Sequence, residues 1–125
     1  MITGLYILPL IFIWMLAFIR IVRLRRSRKI GLGSGGDPEL RQAVRAYGNF
    51  VEIVPLALII MFLLETSGAS LWAIHGFGAV LVVSRIAHLQ GLWQSAGSSY
   101  GRMIGAAATL VLLPAGAIGL FYLAI

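Results

Sequence analysis

A chain of 125 residues that is 60% hydrophobic, only 11% charged and has a mean hydropathy of +0.97 is too apolar for a soluble domain. It is long enough for one compact unit and not for two, and the absence of cysteine excludes a disulfide framework, a thiolate metal site and a cysteine nucleophile. The net charge of +6 would suggest nucleic acid in a soluble protein; here six of the ten basic residues (Arg20, Arg23, Arg25, Arg26, Arg28, Lys29) directly follow the first apolar run, as a topology signal does, so no nucleic acid partner is expected.

Residues 2–19 are just long enough to span a bilayer. The basic cluster follows this run instead of preceding it, the reverse of a cleavable signal peptide, so a retained helix with its N-terminus outside is expected. Pro9 marks a kink or a packing contact. Residues 30–38 (Ile-Gly-Leu-Gly-Ser-Gly-Gly-Asp-Pro) read as a flexible loop and not a phosphate-binding one, because no strand precedes them. Asp37, Pro38 and Glu39 supply an N-cap, a proline at N1 and an acid in the first turn, so a second helix is predicted over about 38–66. Pro55 should bend it. A turn at 66–70, a third helix over 70–90, a loop over 91–100 and a fourth helix complete the chain. The fold class is all-α integral membrane: a single four-transmembrane-helix domain, residues 1–125, with spans near 2–19, 45–65, 70–90 and 102–124. Both termini then lie outside, and every Lys and Arg falls on the inner side or at the inner helix ends.

Within the second span, Arg45, Asn49 and Glu52 are spaced four and three apart and line one helix face. Charged groups at membrane depth cost roughly 2.5 to 3.5 kcal/mol each, so they tend to be paired and functional. The bland alternative is an internal Arg45–Glu52 ion pair, but two turns separate them by about 10.5 Å, which strains a direct bond. Arg85 and His88 share a face of the third helix, as interfacial anchors or as site residues. Tyr47, Trp93 and Tyr100 suit an interfacial aromatic belt. His75 reads as packing and Glu65 as a cap or rim charge. Gly97, Gly101 and Gly105 form a small-xxx-small pattern, more simply explained by packing within the chain than by an oligomer interface. No Ser-His-Asp arrangement, acid pair or metal-ligand set emerges, so no metal is expected. What remains is a cationic, partly buried cleft suited to a small zwitterionic or polyanionic ligand.

The stretch Arg45-Ala-x-x-Asn49-x-x-Glu52-x-x-Pro55-Leu56 resembles the helix-two signature of the MAPEG family, the membrane-associated proteins in eicosanoid and glutathione metabolism. Arg85-Ile-Ala-His88-Leu-Gln-Gly91 is similar to the end of that family's third helix, and length, span count and the basic first inner loop agree. The resemblance implies a homotrimer that binds glutathione, as co-substrate, at subunit interfaces near the cytoplasmic face. Arg45, Asn49, Glu52, Arg85 and His88 would hold it, with Glu52 facing the γ-glutamyl amine and Arg45 a carboxylate. A cation from among Arg23 to Arg26 of a neighbouring protomer would add to them. Arg102 matches the arginine that stabilises the thiolate and is the catalytic candidate. A thiol with a pKa of about 8.5 is mostly protonated at neutral pH, and a nearby guanidinium favours the nucleophilic thiolate. The expected function is therefore a membrane glutathione transferase or peroxidase acting on lipophilic electrophiles. Ile53, His88 and Leu92 stand where the leukotriene-synthase branch has tyrosines, which points to the microsomal transferase and bacterial branches. A bacterial inner membrane is the expected location. The alternatives are a small proton-coupled transporter using Glu52, and a non-catalytic family member that binds lipid or a partner.

Overall fold

The computed structural model describes residues 1–94 and 100–125. It contains four helices: α1 (Thr3–Arg28), α2 (Pro38–Thr66), α3 (Leu71–Gln94) and α4 (Tyr100–Ala124). Each is long and apolar enough to cross a membrane, as the four predicted spans require. The chain runs up and down, so the end of α1, the start of α2, the end of α3 and the start of α4 share one end of the bundle, here the basic end. Among the described residues α1 and α4 do not touch; α2 and α3 lie between them.

Two helix ends differ from the sequence reading. α1 does not stop near residue 19 but continues through the basic cluster to Arg28. Arg and Lys are good helix formers, and cations in a last turn complement the negative end of the helix dipole. Lys29 then turns left-handed, with φ 54°, and ends the helix. α3 likewise runs on to Gln94 where a loop was expected over 91–100; residues 95–99, including Gly97, lie outside the described residues.

The glycine-rich connection between α1 and α2, read as flexible, is tied at both sides. Arg25 donates to Gly33 O at 2.8 Å, and Arg28 bridges Asp37 at 2.6 Å and Glu39 at 2.9 Å. Arg20 reaches the other oxygen of Glu39 at 3.3 Å. Gly33, Gly35 and Gly36 all adopt positive φ, which a side chain would resist. Asp37 caps α2 as expected, accepting from Leu40 N–H at 2.8 Å, with Pro38 following it.

At the opposite end Glu65, in the last turn of α2, caps a different helix. Its carboxylate accepts the backbone N–H of Ile2, the backbone N–H of Thr3 at 2.9 Å and the Thr3 hydroxyl at 2.6 Å. These N–H groups open α1, whose own N-cap position is Ile2 and offers no side-chain oxygen. His75 is a packing residue, joined to Tyr6 OH through Nδ1 at 2.9 Å. The Tyr6 ring lies where Gly78 has no Cβ, so α1 and α3 approach closely there.

Lipid is as apolar as leucine, so the core is defined by close fit and not by apolarity. Phe50, Val54, Ala57 and Met61 of α2 pack against Leu10 and Ile13 of α1 and Ile74, Phe77 and Leu81 of α3. α4 meets this core with Gly116, seated against Ile60 and Phe77. Large side chains such as Leu8, Phe12, Leu110 and Val111 are exposed on the outside, where hydrocarbon would receive them. Tyr47, expected in an interfacial belt, accepts the indole N–H of Trp14 at 3.0 Å, with Trp14 stacked on Phe18.

Candidate functional site

Near the basic end, α2, α3 and α4 border an open pocket of about 290 Å³ lined by Gln42, Arg45, Ala46, Asn49, His88 and Arg102. Four of the six candidate site residues therefore converge from three helices. Gln42, Arg45 and Asn49 recur at three and four residues along one side of α2, and the small Ala46 between them leaves the space. Among the described residues, no carboxylate lines this pocket. Its charged lining is the two guanidiniums of Arg45 and Arg102. His88 Nδ1 is buried and has no hydrogen-bond partner among the described residues. A buried polar atom of that kind calls for a partner beyond those residues, such as a water or a ligand.

Arg85 lies behind the pocket, not on its surface, and is 1% exposed. Its Nη1 donates to Asn49 Oδ1 at 2.9 Å, and Nη2 to Gly105 O and Thr109 Oγ1, each at 3.0 Å. One guanidinium thus ties α3 to both α2 and α4. The arrangement depends on Gly105, because a Cβ there would sit 2.6 Å from Ser84 O and 3.0 Å from the Cβ of His88. Gly105, the last glycine of the predicted small-residue pattern, therefore serves packing within the chain.

Glu52 is not brought into the pocket. It is exposed on α2, and neither it nor Arg45, an exposed member of the pocket lining, forms an ion pair or hydrogen bond among the described residues. On the other flank of the α1–α2 pair, a groove of about 380 Å³ is lined by Leu16, Ile19, Arg20, Arg23, Leu24 and Glu39.

Sequence reasoning missed Gln42 and Thr109. Gln42 was detectable, since it shares the face of Arg45 and Asn49. Thr109 was also detectable, as a lone hydroxyl within an otherwise apolar stretch of α4, where a polar group needs a partner.

Four membrane-length helices, with a pocket lined by two arginines at the basic end, define a small polytopic membrane protein. The MAPEG family pattern matches residues 3–122, and the chain belongs to the MAPEG family. It is 34% identical over 105 residues to the inner membrane protein YecN of Escherichia coli strain K12, covering 79% of this chain and 80% of that protein. The YecN of Escherichia coli O6:H1 matches to the same extent. The chain is an integral protein of the inner membrane.

Proposed function

We propose that the protein binds glutathione in the pocket between α2, α3 and α4 and activates its thiolate toward lipophilic electrophiles. The observation that supports this reading is the convergence of Arg45, Asn49, His88 and Arg102 on one pocket of about 290 Å³. Two guanidiniums in a partly desolvated site attract the carboxylates of the tripeptide and favour the ionised thiol. Arg102 is the candidate for the thiolate contact, and no covalent protein intermediate is required. Arg85 and His88 complete the carried-over set, His88 at the pocket wall and Arg85 behind it. Glu52 would act from the edge, in a homotrimer, where a neighbouring copy covers the exposed face of α2 and brings cations such as Arg23 toward the ligand. An unpaired carboxylate facing hydrocarbon is costly, which favours such a cover. The cytoplasmic face is the proposed side of the basic end.

A glutathione titration on detergent-purified protein tests the reading. Binding, a rise in thermal stability and an ultraviolet thiolate absorbance are expected. Arg45→Ala and Glu52→Gln should weaken binding, and Arg102→Ala should remove the thiolate signal. Absence of binding and of the thiolate signal in well-folded wild-type protein would sink it. Because Glu52 stands outside the pocket and unpaired, a proton-coupled transporter is the second reading. Efflux in vesicles that is lost in Glu52→Gln and indifferent to thiols would favour that alternative.

A further inference from the structure

A guanidinium carries donors and no acceptor. Set against the Asn49 side chain, Arg85 can therefore meet that amide at one atom only, the oxygen, and Nη1 does so at 2.9 Å. Turning the amide over would press an N–H donor against a cation that is 1% exposed, an unpaired and repulsive contact in a buried place. The orientation of Asn49 is thus fixed from behind. Asn49 also lines the pocket, and with its oxygen held by Arg85 the N–H end is the part of the amide left to serve it.

We infer that Arg85 is a positioning residue that holds the Asn49 amide with its N–H groups toward the pocket, so that Asn49 offers the ligand donors only and favours carboxylate, phosphoryl or carbonyl oxygens at that point of the lining. The inference rests on the reading of this pocket as a ligand site, but not on the ligand being glutathione. Nη2 is engaged with Gly105 O and Thr109 Oγ1, and Nε with Ser84 Oγ at 3.4 Å. Arg85 accordingly shapes ligand choice through Asn49 and not by touching the ligand. Arg45 and Arg102 add cations to the same lining, so the donor from Asn49 agrees in sign with its surroundings.

Asn49 is the only asparagine in the chain, so isotope-labelled asparagine yields a single side-chain amide signal in a nuclear magnetic resonance spectrum. With glutathione or inorganic phosphate as separate probes, that signal should shift and saturate, with glutathione at the midpoint found by calorimetry. Asn49→Asp keeps an acceptor on Arg85 and hence the fold, but replaces the pocket donor with a carboxylate oxygen. It should weaken probe binding by about tenfold or more, the scale of one charge-assisted hydrogen bond. Arg85→Lys still offers only donors and should retain the shift. Arg85→Gln can face either end of the amide and should lose it; if that variant fails to fold, Asn49→Asp decides. A signal that moves with phosphate but not glutathione would end the glutathione reading and leave the amide orientation standing. A signal that moves with neither probe, or an Asn49→Asp protein that binds as tightly as the wild type, would overturn the inference.

Discussion

Arg85 and Glu52 show how differently a charge can be accommodated in an apolar chain. Arg85 is enclosed and meets acceptors on two neighbouring helices, whereas Glu52 is exposed and has no partner among the described residues. Neutral interhelical hydrogen bonds in membranes average about 0.6 kcal/mol, while bonds from an ionised donor reach roughly 1.5 to 3 kcal/mol. Arg85→Met should therefore lower stability by roughly 2 kcal/mol or more, and Thr109→Val by no more than about 1 kcal/mol. Thermal unfolding in detergent would rank the two. The sequence displayed the shared face of Arg45, Asn49 and Glu52, but not which flank of it borders another helix. Asn49 and Glu52 are about 60° apart around the helix, enough for one to face α3 and the other to face outward. That separation is set by where α3 docks, which no local pattern encodes. The enclosure of Arg85 was hidden for the same reason, since its acceptors come from residues 36, 20 and 24 positions away.

At the scale of elements, helix identity was legible because a span needs a long apolar run and nothing subtler. Helix ends were less so. α1 continues past its apolar part because leaving hydrocarbon does not end a helix; Lys29 and the glycines after it do. Glycines show the same dependence on neighbours. A Cβ at Gly105 would meet the backbone oxygen of Ser84 at 2.6 Å, an atom that cannot rotate away. Gly76 has nothing within 4 Å. Gly105→Ala should hence push α3 and α4 apart, destabilise the protein by about 1 to 3 kcal/mol and disturb the Arg85 contacts. Gly76→Ala should be neutral or stabilising by up to about 1 kcal/mol, from helix propensity alone. Unfolding midpoints of the two variants, with the Asn49 amide signal as a local probe, would check the contrast.

Across the whole molecule, the even number of spans sets both termini on one side, and the clustering of Lys and Arg at one end argues which side that is. Because the chain has no cysteine, single cysteines report cleanly on topology. A cysteine at Gly31 or Ser34 should resist an impermeant thiol reagent in intact spheroplasts and react after lysis. One at Ser67 or Ile125 should react without lysis. The opposite pattern would reverse the orientation and move the pocket to the other face of the membrane.

The carboxylate of Glu65 has a further meaning in the order of synthesis. The N–H groups that it satisfies belong to residues 2 and 3, which leave the ribosome more than sixty residues before it does. Until α2 has crossed the bilayer, the start of α1 has no partner of its own. The earliest complete unit of this protein is therefore a helical hairpin, clasped by Glu65 at one end and by Arg28 with Asp37 and Glu39 at the other. The pocket is completed later, when the second pair of helices brings His88 and Arg102 to Gln42, Arg45 and Asn49 of α2. The second helix therefore takes part in both, closing the hairpin through Glu65 and carrying four of the six residues that line the pocket.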